Sequence, residues 1–132
     1  MEKISIDKFK VSFIGDIRVL EQHSYDIKKK DLLISDKYQI DFFSVENTSG
    51  FEKGDIIIIL SSTDLEKDVC LCQYCRKITD NPIIIVGENC ENYITSMLYA
   101  GADDYLKLPF SKKILDTLIF IHIRRELRRR EK

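Results

Sequence analysis

Gly101-Ala102-Asp103-Asp104-Tyr105-Leu106-Lys107-Leu108-Pro109-Phe110 is the stretch on which the reading of this 132-residue chain turns. Gly101 suits the left-handed cap that ends a helix, here one running from about Cys90 to Ala100. Tyr105 to Leu108 reads as a short strand. Ser111 then starts a long last helix reaching about Arg130. The stretch is therefore a helix–strand–helix junction.

The same alternation extends upstream. Val11 to Ile14 is a short apolar run closed by Gly15-Asp16, and Ile40-Asp41-Phe42-Phe43 is a second strand. Asp55-Ile56-Ile57-Ile58-Ile59-Leu60 is a continuous β-branched run, expected of a central strand buried on both faces. Ile83 to Val86 is another. A helix over about Gln22 to Ser35 would place Tyr25, Leu32 and Leu33 in the core. Thr63 with Glu66 forms a potential capping box opening a helix to about Thr79, which Asp80-Asn81-Pro82 breaks. Glu46 to Gly54 is short and polar and leaves room for a turn or two of helix at most. Strand and helix alternating in this way imply a doubly wound α/β sandwich with a parallel sheet. Sites in such sheets lie beyond the carboxyl ends of the strands. Those ends are Gly15-Asp16, Leu60-Ser61, Gly87 and Leu108.

Bulk composition narrows the partners. Hydrophobic residues make up 44% and charged residues 33%, with a formal net charge of −1. That is a globular balance with no global basic field for nucleic acid. From Lys112 onward, Lys112, Lys113, Arg124, Arg125, Arg128, Arg129, Arg130 and Lys132 face only Asp116, Glu126 and Glu131. No apolar run approaches the ~18 residues of a membrane span. The start of the chain lacks a signal-peptide layout, and the four cysteines do not form a secreted disulfide pattern. These features predict a cytoplasmic protein with no membrane partner.

The Gly101–Phe110 run closely resembles the signature G-A-D-D-Y-L-x-K-P-F near the end of bacterial response-regulator receiver domains. Element order and loop spacing are similar over the whole chain. The resemblance implies a flavodoxin-like (βα)5 fold: a doubly wound, parallel five-stranded sheet in a three-layer α/β/α sandwich, here with the second helix short or absent. It also implies a chemistry. In the family an acidic pair after strand one holds Mg²⁺, and an aspartate ending strand three accepts the phosphoryl group. A Thr or Ser after strand four and a Lys after strand five contact that group.

This chain departs at each of those places. The acidic pair maps to Gly15-Asp16. Counting five residues from Asp55 puts the acceptor position at Leu60, and counting back from Lys67-Asp68 gives Leu60 again. The hydroxyl position is Gly87 and the lysine position is Leu108. An acyl phosphate needs a carboxylate nucleophile, which Leu60 lacks. Mg²⁺ prefers about six oxygen ligands, usually with one or two carboxylates, so Asp16 alone is a poor site. Phosphorylation adds about −1.5 to −2 charges, and neither Gly87 nor Leu108 can receive them. A register slipped by one would substitute Ser61 and Lys107, but a one-residue slip turns a strand side chain to the opposite face. A displaced acceptor at Asp64 or Asp16 is a further, weaker alternative. The expectation is a non-enzyme without metal or cofactor, for which a histidine kinase partner is not expected.

Other constellations have plainer readings. Cys72 and Cys75 lie about 60° apart on a helix, whereas Cys70 lies about 160° from Cys72. Three thiolates from one helix do not converge on a tetrahedral metal. Core packing is the expectation for Cys72 and Cys75, with Cys90 separate. His23 and His122 are isolated and read as structural or surface residues. Ser61-Ser62-Thr63 has no glycine cradle or lysine beside it, so it reads as a loop and helix cap rather than a phosphate loop.

In the OmpR/PhoB-type regulators that the chain resembles, helix four, strand five and helix five form a two-fold dimer face tied by salt bridges. Asp103 and Asp104 match its acidic side and Arg125 one basic position. Two further charged positions correspond to Ile114 and Leu118, which share a helical stripe with Ile121 and Arg125. A homodimer with a greasier, less salt-sensitive interface is expected. Tyr105 matches the family's switch aromatic, with its rotamer set here by packing alone. Residues 1–123 are assigned to the receiver. Residues 124–132 are a basic helix end resembling the linker toward a DNA-binding domain not present in this chain. The expected function is a phosphorylation-independent dimerisation module for transcription control. The alternative is a stand-alone pseudo-receiver binding a partner protein or small ligand in the vacated pocket.

Overall fold

In the computed structural model, residues 9–23 and 38–131 are described. The two isoleucine-rich runs set the architecture. β3 (Ile56–Leu60) and β4 (Ile83–Gly87) are buried at every position. A strand so apolar on both faces needs a layer on each side. Around them lie β1 (Phe9–Ile14), β2 (Tyr38–Phe43) and β5 (Asp104–Lys107), in the order β2-β1-β3-β4-β5. Every pairing is parallel, with Ile14 beside Ile59 and Leu60 beside Val86. This is the flavodoxin-like sheet expected from the sequence.

Side-chain alternation divides the core into two layers. Val11, Phe13, Ile56, Ile58, Leu60, Ile84, Val86 and Leu106 face one way, against Leu20 of α1 (Arg18–His23) and Leu115, Ile119 and Ile123 of α4 (Lys112–Arg130). Ile14, Ile57, Ile59, Ile83 and Ile85 face the other, against Cys72 and Cys75 of α2 (Leu65–Ile78) and Met97 of α3 (Glu91–Tyr99). Between β2 and β3 there is only a 3-10 turn, Phe51–Lys53. The second helix of the five-helix pattern is thus absent, and buried Phe51 packs in its layer instead.

Several local expectations shift. β1 and β2 each begin two residues earlier than their apolar runs suggest. α1 starts at Arg18, ahead of Gln22, because the Asp16 side chain accepts from the Arg18 backbone N–H at 3.0 Å and turns the chain early. Tyr25, Leu32 and Leu33, and the rest of the helix expected to Ser35, lie outside the described residues. The cap of α2 is Asp64, not Thr63: its carboxylate accepts from the Lys67 N–H. Thr63 has φ 69°, a left-handed conformation incompatible with a cap.

α3 ends in a Schellman pattern. Gly101 N–H bonds the Leu98 carbonyl and Ala102 N–H the Met97 carbonyl. α4 runs unbroken across the boundary drawn at residue 123, and Glu126 on it is buried. Arg129 and Arg130 pair with Glu126, and Arg130 reaches Asp55 at 3.8 Å. Part of the basic helix end is therefore packed back on the domain. Among the described residues no helix is long and apolar enough to cross a membrane.

Candidate functional site

The carboxyl ends of β1, β3, β4 and β5 bring Gly15, Asp16, Leu60, Gly87 and Leu108 to one edge of the sheet. Leu60 closes β3 with its side chain 2% exposed, in the apolar cluster shared with α1 and α4. Leu108 is half-buried against the same cluster, and its N–H bonds the Gly87 carbonyl at 2.8 Å. The Leu108–Pro109 peptide is cis. Gly15 has φ +128°, and a Cβ there would stand 2.9 Å from the Leu60 carbonyl oxygen. An aspartate at position 15 would collide with the end of β3.

Asp16 is exposed and held by Arg18 through an ion pair at 2.6 Å. The Arg18 guanidinium and N–H lower its pKa to about 2. Its charge is directed to a neighbour on the surface rather than into a ligand set. Among the described residues no three His, Cys, Asp or Glu side chains gather as a metal site.

The groups at this edge that sequence reasoning did not assign to the site are Asp68 and Tyr93. Asp68, in the first turn of α2, is 2% exposed. Its Oδ1 accepts from Ser62 Oγ at 2.6 Å. Its Oδ2 accepts from Ser62 N–H at 3.0 Å, from Ser61 Oγ at 3.3 Å and from the Tyr93 hydroxyl. Thr63 N–H then bonds Ser61 Oγ and Asp64 N–H bonds Ser62 Oγ. A buried carboxylate is tolerable only when donors surround it, and here the loop after β3 wraps it. This network holds Thr63 in its left-handed conformation. Ser61-Ser62-Thr63 is a loop, as expected, but one organised by a carboxylate five to seven residues ahead. A serine-rich loop followed by an aspartate on the next helix was the available signal.

Tyr105 on β5 points over Gly87. Its hydroxyl occupies the space a Gly87 Cβ would need, and Ser61 Cβ closes the other side at 3.1 Å. The hydroxyl donates to the Glu88 carbonyl at 2.9 Å. The ring meets Tyr93 edge-on, with centroids 5.9 Å apart. Packing alone therefore does not set the Tyr105 rotamer; a hydrogen bond completes its seat. Burial raises the pKa of both phenols, the Asp68 hydrogen bond adding to Tyr93 and the Cys90, Asp68 and Glu88 charges to Tyr105, so both remain donors.

The residues assigned to a dimer face lie on α3, β5 and α4, the counterparts of the family's helix four, strand five and helix five. Asp103 bonds Arg76 at 2.9 Å and caps the Ile83 N–H at 2.8 Å. Asp104 bonds buried His122 at 2.9 Å. Both acids thus have partners within the chain. Ile114 is 53% exposed, Leu118 and Ile121 are half-buried, and Arg125 is exposed. Arg125 borders a cavity of about 520 Å³ together with Asp103 and His122. His122 is structural, as read from the sequence; its link to Asp104 across the α4–β5 contact was not legible. The His23 side chain lies outside the described set.

Cys72 and Cys75 are buried in the core and Cys70 and Cys90 are exposed, all as free thiols. Burial raises the Cys72 pKa to about 11 and the Cys75 pKa to about 12. They behave as small hydrophobes.

The fold is the one found in response-regulator receiver domains. The chain is similar to a two-component response regulator from Clostridium difficile at 26% identity, covering 90% of this chain and 98% of that one with a TM-score of 0.71. It is similar in fold to a response regulator from Thermotoga maritima (18% identity, 88% and 98% covered, TM-score 0.70) and to a response regulator receiver domain protein from Clostridium thermocellum (21%, 89% and 96%, 0.69). No protein-family model and no curated protein sequence matches the chain.

Proposed function

We propose that this receiver domain has abandoned phosphoryl transfer and works in the cytoplasm as a phosphorylation-independent dimerisation module for transcription control. The observation that carries this reading is Leu60. The position that the resemblance gives to the phosphoacceptor is an apolar side chain, 2% exposed, inside the core. Leu108 and Gly15 support it, the first by packing on the same cluster, the second by its close approach to the end of β3. The aromatic of the switch is already seated, with Tyr105 over Gly87. A domain whose switch is held by its own side chains needs no phosphoryl group to set it.

Dimerisation would use the Ile114, Leu118, Ile121 and Arg125 stripe of α4 beside β5 and α3. With Asp103 and Asp104 engaged inside the chain, the apolar groups rather than cross-dimer salt bridges would hold it. That makes the interface salt-tolerant. DNA would be reached only through a further domain attached after the basic end of α4.

The test is intact-mass measurement after incubation with Mg²⁺ and acetyl phosphate, run beside Leu118→Arg in a sizing assay. An unchanged mass and a dimer that Leu118→Arg splits are expected. An acid-labile gain of one phosphoryl group would overturn the reading. The other function considered, ligand binding in the vacated pocket, has less support, because Leu60, Tyr105 and the Asp68 network fill that end of the sheet.

A further inference from the structure

The absent helix between β2 and β3 leaves a groove of about 870 Å³ beside α2. One wall is formed by Lys67, Cys70, Leu71 and Tyr74, spaced i, i+3, i+4 and i+7, a single stripe along α2. The other is the turn carrying Val45 and Thr48. Val45 is 50% and Tyr74 48% exposed, large for apolar groups facing one depression. Phe51 supports the Tyr74 ring from below at 6.0 Å. The rim is acidic: Asp64 and Glu66 line it, exposed Glu46 follows Val45 on the turn, and Lys67 is the opposing charge.

We propose that this groove docks an amphipathic helix of a partner protein, about three turns long, with apolar anchors at i, i+3/i+4 and i+7 and Lys or Arg on its flanks. The stripe supplies the ridge against which a second helix packs at about 8–10 Å between axes. The groove wall, from the Asp64 cap through the stripe to Tyr74, extends about 15 Å, close to three helical turns. The walls are side chains of a helix and a turn and offer no free strand edge, so a helix and not an added strand fits. The acidic rim selects basic flanks. This surface is independent of the dimer face on α3, β5 and α4.

The experiment titrates ¹⁵N-labelled protein with a synthetic helical peptide bearing Leu at i, i+3, i+4 and i+7 and Arg on both flanks. A twin peptide carries Glu in place of Arg. Amide shifts at Val45, Thr48, Cys70, Leu71 and Tyr74 are expected, with the Glu twin at least 10-fold weaker. Tyr74→Glu, at a position 48% exposed, should weaken binding 10-fold or more while the amide spectrum away from the groove stays unchanged. Glu46→Lys with Glu66→Lys should remove the preference between the twins. Absence of shifts in the groove at millimolar peptide, shifts confined to α4, or equal binding of the twins would each overturn the proposal.

Discussion

The hydroxyl of Tyr105 stands where a side chain on Gly87 would have to be. The two residues belong to neighbouring strands, β4 and β5, and each explains the other. Glycine at 87 opens the seat, and the hydrogen bond to the Glu88 carbonyl fixes the ring in it. Gly87→Thr supplies the hydroxyl that the receiver resemblance implies at this position but overfills the seat. Such overpacking costs about 1–3 kcal/mol. The expected result is a lower urea midpoint and an outward, more mobile Tyr105, read from its ring NMR signals. An unchanged ring environment would show that the seat has spare room.

Leu60→Asp rebuilds the acceptor residue type without its surroundings. It places a carboxylate in a fully apolar cluster beside a glycine with no room to move. Loss of the leucine packing and desolvation of the new group together cost about 3–5 kcal/mol. Chemical denaturation should show this, and acetyl phosphate should leave the variant unlabelled.

Asp68 organises the loop after β3 through hydrogen bonds from Ser61, Ser62 and Tyr93. Asp68→Ala strands those donors. The predicted loss is about 2–4 kcal/mol, larger than the ~1 kcal/mol expected of Tyr93→Phe, which removes one donor and leaves the carboxylate its others. Hydrogen exchange at Ser62, Thr63 and Asp64 should accelerate in the alanine variant before global unfolding does.

The Asp16 carboxyl titrates at about 2 because of Arg18. A depressed folded pKa favours the folded state above the unfolded value near 3.9. That contribution is lost as pH falls from about 4 through about 2. The pair is exposed, so its effect on stability is small. The informative readout is the side-chain ¹³C shift of Asp16, which should titrate near 2 and move toward 4 in Arg18→Ala.

Thiol labelling of the native protein should show a fast pair, Cys70 and Cys90, and a slow pair, Cys72 and Cys75. Exposure separates them, and the pKa values of about 11 and about 12 keep the buried thiols protonated. Mass mapping after brief alkylation distinguishes the pairs.

The layers were legible because Ile56–Leu60 and Ile83–Val86 are apolar without alternation, which demands cover on both faces. The missing second helix was legible from the short polar stretch after Phe43. What that absence leaves behind, a groove walled by α2, was not, because it depends on how far Phe51 fills the gap. The cap of α2 was misread by one residue. Thr63 and Asp64 are both good caps, and the choice fell to the left-handed backbone at Thr63, itself fixed by its bond to Ser61 Oγ and, through Ser61, by Asp68 further along. Asp68 and Tyr93 lie far apart in sequence and meet only through the packing of α2 on α3. The pairing of Asp104 with His122 is hidden for the same reason. Positions at strand ends could be counted; partners across packed helices could not.

Sedimentation equilibrium at micromolar concentration, before and after Mg²⁺ with acetyl phosphate and at low and high salt, tests the central claim most directly. The account predicts one dimer under all four conditions. A monomer that pairs only after acetyl phosphate treatment would contradict it.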